Sequence, residues 1–116
     1  MQLPSTFEAL IKEADNLGLY NQLVKQLNKD FILANIELEF NENILPKDLK
    51  LLLHDTIFTL IQDKFADYLN LLYIIDVSEK NVRALDGNDT NILSEQVAFL
   101  ILLREWQKVW YRNAFK

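Results

Sequence analysis

The fold is decided by residues 47–75, which read KDLKLLLHDTIFTLIQDKFADYLNLLYII. Apolar side chains recur there every three or four residues, which is the spacing of a helical face rather than of a strand. Pro46 stands where a first helical residue would lie, because its ring presets φ and its missing N–H is not needed there. We therefore predict one continuous helix over residues 47–75. Only Asn70 interrupts the apolar residues between 68 and 75, so we expect this part to be covered nearly all round.

The composition points to a helical protein. Half of the 116 residues are apolar and a quarter are charged, as in ordinary globular domains. Only two glycines and two prolines are present, fewer than the turns of an all-β fold of this size would need. We predict a single all-α domain over residues 1–116: an antiparallel bundle of four to five helices around the long central helix.

The N-terminal part of the chain predicts two amphipathic helices and one extended segment. Ser5 and Glu8 have the spacing of a capping box, and Gly18 lies where the first helix would end. Residues 36–40 alternate apolar and acidic side chains, as a half-buried extended segment does. We expect this segment to pack on the helices, and the alternative is that it pairs with a strand of another molecule.

The last helix is predicted over residues 91–114, with Asp89 or Thr90 as its cap. Its residues 97–103 are apolar on every side, so we expect them inside the bundle. They also form the longest apolar run of the chain, far shorter than the roughly 20 residues of a membrane span. Because the first fifteen residues lack the pattern of a secretory signal, we expect a cytoplasmic protein.

Residue types argue against catalysis. The chain has no cysteine, and His54 is its sole histidine, which leaves no pair of histidines to bind a metal. We interpret His54 as a structural residue at the edge of the core, and we predict no enzyme activity, cofactor or metal. The alternative is a metal-dependent enzyme that uses carboxylates, namely Asp63, Asp67 and the acidic residues between 37 and 42.

Charge is unevenly distributed along the chain. The net charge is −5, which argues against a nucleic-acid partner. Arg104, Lys108 and Arg112 nevertheless follow one another at steps of four on the last helix, and Lys116 extends the series. Cations suit the C-terminal end of a helix, and they can pair with acids such as Asp63 on the neighbouring long helix. The alternative is that they bind an acidic partner or a second copy of this chain.

Two tryptophans lie on the side of the last helix opposite the cations. Because residues 97–103 require the bundle around them, we expect Trp106 and Trp110 to be drawn into the core as well. If they are exposed, they are the best interface anchors in the chain. The hypothetical partner-binding surface comprises Arg104, Lys108, Arg112, Trp106, Trp110 and Tyr111.

These observations predict a small, acidic, non-enzymatic protein-interaction module. It would bind a protein partner, or itself as a homodimer, through the C-terminal helix. An acidic inhibitor or immunity-type protein that neutralises a basic partner is an alternative, because opposite charge favours such a complex.

Overall fold

The computed structural model describes residues 2–115 and contains six helices and no β-strand within that range. The all-α bundle predicted from the sequence is confirmed. The helices are α1 (Phe7–Asn16), α2 (Tyr20–Leu33), α3 (Pro46–Asp63), α4 (Phe65–Ile75), α5 (Glu79–Arg83) and α6 (Thr90–Ala114).

Local signals set most of the helix ends. Gly18 adopts a φ of 69°, and the amide of Leu19 donates to the carbonyl of Ala14, which forms a Schellman motif after α1. Asp89 caps α6, since its side chain accepts a hydrogen bond from the amide of Ile92 at 3.1 Å. The predicted cap of α1 is wrong by one residue: Thr6, rather than Ser5, accepts the capping hydrogen bond.

The long central helix is interrupted. Lys64 has φ −142° and ψ 59°, and it separates α3 from α4, so the prediction of one continuous helix is wrong. A straight helix over residues 47–75 would be about 43 Å long. The whole domain measures only 38 Å along its longest axis, and α4 packs against α2 and α6 as well as α3. The break therefore keeps α4 in contact with the rest of the bundle.

α6 is the helix that the others surround, since it contacts α1, α2, α3 and α4. Within residues 97–103, four side chains are buried and Phe99, Leu100 and Leu103 are half-buried, in agreement with the predicted interior position. Trp106 is fully buried, and Trp110 packs against the core from a half-buried position. Among residues 2–115, no helix combines the length and the apolar character needed to cross a membrane.

The extended segment at residues 36–40 packs on the helices as expected. Its apolar side chains point to the core and Glu37 and Glu39 are exposed, although no strand forms within the described residues. Asn28 of α2 takes the place of a neighbouring strand: its side chain accepts from the amide of Phe40 at 2.7 Å and donates to its carbonyl at 2.9 Å. Both backbone groups of Phe40 are therefore satisfied inside the domain.

Candidate interaction surface

Two cations of the predicted partner-binding surface bind within the domain. Arg104 donates from Nε to the carbonyl of Asp76 and from Nη2 to its carboxylate, at 3.1 and 3.2 Å. Asp76 ends α4, so this arginine stabilises the negative end of that helix. Lys108 lies 2.8 Å from the carboxylate of Asp30 at the end of α2. Both cations are held by acids of this chain.

The third cation is also in contact with α2. Arg112 donates to the side-chain carbonyl of Gln26 at 3.0 Å. Asp63 and Asp67, the acids suggested by the sequence, are exposed and form none of the ion pairs seen within residues 2–115. Lys116 lies outside the described residues.

Residues of α2 and α6 meet in antiparallel order along a line that we call the polar seam. α2 contributes three residues spaced by four: Gln22, Gln26 and Asp30. α6 contributes the residues that face them: Glu105, Lys108, Arg112 and Asn113. The predicted stripe of cations is thus largely part of an intramolecular contact.

Glu105 is the unusual member of the polar seam, since it is fully buried. Its Oε1 lies 3.0 Å from the ammonium of Lys108 without the geometry of a hydrogen bond, and neither oxygen has a hydrogen-bond partner within residues 2–115. Burial, followed by the neighbouring Asp30, raises the pKa of Glu105 to about 9. The pKa of Asp30 shifts in the opposite direction: burial alone would raise it, but the neighbouring carboxyl group of Glu105, together with the ammonium of Lys108 and the amide of Gln26, outweighs burial and lowers it.

The two shifts have opposite directions: the raised pKa of Glu105 favours its neutral form, and the lowered pKa of Asp30 favours the carboxylate that lies 2.8 Å from the ammonium of Lys108. A strongly shifted pKa marks a candidate active site only where a cleft admits a substrate. Glu105, Asp30 and Lys108 line none of the five surface pockets described for residues 2–115.

The three aromatic residues of the predicted surface differ in how exposed they are. Trp106 is fully buried and cannot touch a partner in this fold. Trp110 is half-buried, and Tyr111 is exposed and stacks on Phe115 with 5.9 Å between ring centroids. Only the outer edge of this predicted surface is accessible.

An uncovered apolar face lies on α4 instead. Tyr68, Leu71 and Ile75 are buried in the core, yet a second face of the same helix carries Phe65, Leu69 and Tyr73, which are 54%, 51% and 81% exposed. These three side chains are four residues apart, so they form one continuous stripe. We call Phe65, Leu69 and Tyr73 the α4 stripe. The expectation that residues 68–75 are covered nearly all round is wrong, because Asn70, Leu69 and Tyr73 are all exposed.

The α4 stripe forms one wall of a groove of about 770 Å³. The opposite side is formed by α5, the turn at Gly87 and the start of α6, with apolar contributions from Val82, Leu85 and Leu93. The sequence contained the signal for this surface, since a helix that is apolar all round must be covered by something. The prediction that the rest of the domain covers Leu69 and Tyr73 was wrong.

The single histidine, His54, lies where α3 meets the start of α6. His54 is half-buried, and its Nε2 lies 3.0 Å from the carbonyl of Asn91, which ties α3 to the start of α6. A smaller cavity of about 340 Å³ includes His54 with Ser5 and Thr6, but neither hydroxyl is hydrogen-bonded to the imidazole. No group of three or more metal-binding side chains occurs between residues 2 and 115.

In comparisons with known proteins, no family model matches this chain, and no curated protein or solved structure matches it either.

Proposed function

We propose that this protein is a non-enzymatic interaction module that binds another protein through the α4 stripe and the adjoining groove. The observation that carries the proposal is the second apolar face of α4. A helix of a folded domain needs one apolar face to pack, and α4 has that face in Tyr68, Leu71 and Ile75. An additional exposed stripe of large apolar side chains is typical of a binding surface.

The α4 stripe offers a substantial apolar surface to a partner. Fully burying a Leu or Phe side chain contributes about 1.5–3 kcal/mol, and about half of Phe65 and Leu69 and four-fifths of Tyr73 are exposed. Tyr73 is the most exposed of the three, and tyrosine is enriched among residues that dominate binding energy. The groove beside the stripe provides a concave surface on which these side chains can be covered.

The C-terminal helix predicted from the sequence remains a second possible contact surface. Arg112, Tyr111 and Phe115 are accessible there. The groove is preferred because Arg104 and Lys108 already have acidic partners in the domain, and breaking those ion pairs would oppose binding.

An acidic inhibitor that neutralises a basic partner is the second candidate function, and the net charge of −5 favours it. We also propose that the interaction module is cytoplasmic. The metal-dependent enzyme is the least supported alternative. A melting temperature that rises with added Mn²⁺ or Zn²⁺ would favour it over an interaction module.

Selection from a displayed library of random peptides tests the proposal. The protein is used as bait, and the selected peptides are measured against Leu69→Asp and Leu51→Asp. Leu51 is the matched control, since it is 61% exposed and does not line the groove. We expect binding to fall more than about tenfold in Leu69→Asp, which corresponds to 1.4 kcal/mol, and to persist in Leu51→Asp. Circular dichroism checks that both variants are folded.

Failure to select any peptide, or equal binding to both variants, would contradict the α4 surface. An Arg112→Glu variant separates the two surfaces. Peptides that lose binding to Arg112→Glu but still bind Leu69→Asp would place the contact on the C-terminal helix.

A further inference from the structure

We propose that Lys64 is a hinge at which two copies of this chain exchange halves. We call α1–α3 the N-terminal half and α4–α6 the C-terminal half. In the exchanged dimer, α3 and α4 join into one continuous helix, and the C-terminal half of each copy packs on the N-terminal half of the other. This self-association does not depend on the α4 stripe or on the adjoining groove.

The hinge is a single residue without a helix-breaking side chain. α3 ends at Asp63 and α4 begins at Phe65, so Lys64 alone is non-helical, with φ −142° and ψ 59°. Sharp kinks in helices commonly occur at proline or glycine, and neither is present in residues 47–75. Lysine itself favours a helix. The local sequence therefore favours the continuous helix, and packing within one domain opposes it.

The hinge also leaves backbone hydrogen bonds to be gained. The amide of Lys64 donates to the carbonyl of Leu60, and the carbonyl of Lys64 accepts from the amide of Tyr68, both at 3.0 Å, as in a continuous helix. The amides of residues 65–67 and the carbonyls of residues 61–63 lie between these two bonds, and they have no partners within their own helices. A continuous helix would pair each of these amides with the carbonyl four residues before it, which adds three hydrogen bonds per chain.

Straightening the hinge separates the two halves of one domain. A straight helix from Pro46 to Ile75 would be about 45 Å long, whereas the domain measures 38 Å along its longest axis. α6 contacts α1, α2 and α3, so carrying the C-terminal half away would uncover buried side chains of α6 such as Val97, Ile101 and Trp106. The surface that fits these side chains is the N-terminal half of an identical chain. A second copy can therefore bury them again in a closed, two-fold symmetric dimer.

The polar contacts that join the two halves can also form between two copies. Lys108 lies 2.8 Å from the carboxylate of Asp30. Asn113 donates to the side-chain carbonyl of Gln22, also at 2.8 Å. Each pair connects the C-terminal half to the N-terminal half, so an exchanged dimer contains the same pairs across the two chains. The dimer keeps these contacts and gains hydrogen bonds at two hinges, which offset the entropy lost on association.

Proline at residue 65 tests the continuous helix. Phe65 is the first residue of α4, where proline is tolerated because the amide at that position has no partner in its own helix. In a continuous helix the same residue is interior, and proline there removes a hydrogen bond and clashes with the preceding turn. Phe65→Ala is the matched control, because it removes the same half-exposed ring and keeps the amide.

Each protein is refolded from urea at roughly 500 μM and at roughly 5 μM chain, and light scattering coupled to size exclusion measures its mass. We expect the unmodified protein and Phe65→Ala to form a dimer at the higher concentration. The dissociation constant of the dimer should rise more than about 100-fold in Phe65→Pro, because a dimer contains two interior prolines.

Crosslinking distinguishes the exchange of halves from association of two closed monomers. The chain has no cysteine, so Gln22→Cys and Asn113→Cys each carry a single thiol. When the two variants are refolded together, exchange places these thiols beside each other in different chains, and a short bismaleimide should link the chains. Variants that are refolded separately at the lower concentration and then mixed provide the control, and they should not be linked.

The proposal is overturned if the unmodified protein stays monomeric at both concentrations, or if its dimer gives no crosslink between chains. A dimer formed through the α4 stripe would give the second result, since each copy then remains closed. Equal dimer formation by Phe65→Pro and Phe65→Ala would overturn the continuous helix.

Hydrogen exchange keeps the test decisive if Phe65→Pro fails to fold by circular dichroism. In the unmodified protein, the amides of residues 65–67 should exchange more slowly in the dimer than in the monomer, because only the continuous helix gives them hydrogen-bond partners. Equal exchange of these amides in both forms would overturn the continuous helix.

Discussion

Replacing Glu105 by Gln tests the protonation of the polar seam. Glu105 is fully buried, and its oxygens have no hydrogen-bond donor within residues 2–115, whereas Asp30 lies 2.8 Å from the ammonium of Lys108. A glutamine has nearly the shape of a protonated glutamic acid and, like it, can donate a hydrogen bond to Asp30. The substitution therefore preserves the neutral form and removes the ability to ionise.

The pKa of Glu105 sets the size of the effect. Its usual value is 4.5, and burial raises it to about 9 in the folded protein. At pH 7 the unfolded chain has released this proton and the folded chain keeps it, which costs folding about 3 kcal/mol at 1.36 kcal/mol per pH unit. Glutamine has no proton to keep, so we expect Glu105→Gln to be more stable than the unmodified protein by up to about 3 kcal/mol at pH 7.

The sign of the pH dependence follows from the same proton. Between pH 4.5 and about 9 the folded state binds one more proton at Glu105 than the unfolded state does, so this residue makes stability fall as the pH rises. Glu105→Gln should remove that decline. At pH 5 the two proteins should differ by less than about 1 kcal/mol, because the unfolded chain is then only partly ionised at this position.

Urea unfolding at pH 5, 7 and 8.5 measures both effects. Glu95→Gln provides the control, since Glu95 is exposed on the same helix and undergoes the same chemical change. The reasoning is refuted if Glu105→Gln is less stable than the unmodified protein at pH 7 and keeps its pH dependence. That result would mean that Glu105 is ionised and paired with Lys108.

Two further substitutions test local structure. Asn28→Ala removes both hydrogen bonds to the backbone of Phe40. We therefore expect the free energy of unfolding to fall by about 2 kcal/mol and amide exchange to be faster in residues 36–40 than in the helices. Unchanged exchange in residues 36–40 would contradict the role given to Asn28. Asn35 follows α2 with a φ of 60°, which asparagine and glycine tolerate better than alanine does. Asn35→Ala should therefore lose about 1 kcal/mol in urea unfolding, while Asn35→Gly should match or exceed the unmodified protein, and equal stability of the two variants would argue against strain at this position.

The candidate site shows where sequence reasoning was limited. Periodicity correctly separated the cations of α6 from its buried tryptophan side, and it suggested that acids could pair with them. It did not identify the acids, because Asp30 lies 78 residues from Lys108 and nothing local connects the two. The α4 stripe was missed for a related reason. A helix with apolar side chains on every face is expected to be buried, but its sequence does not say whether the core of the same domain or a partner protein buries each face.

The sequence by itself determined the helical class of this protein, the starts of α3 and α6, the turn at Gly18 and the burial of Trp106. These features depend on spacing, caps and local propensity, which act over a few residues. The apolar spacing continues without a change of phase through Lys64, so only packing in three dimensions decided that the central helix breaks there. The same packing buried Glu105 beside Asp30 and left the α4 stripe exposed. Both outcomes depend on which distant helices fill the space around a residue, and local sequence does not contain that information.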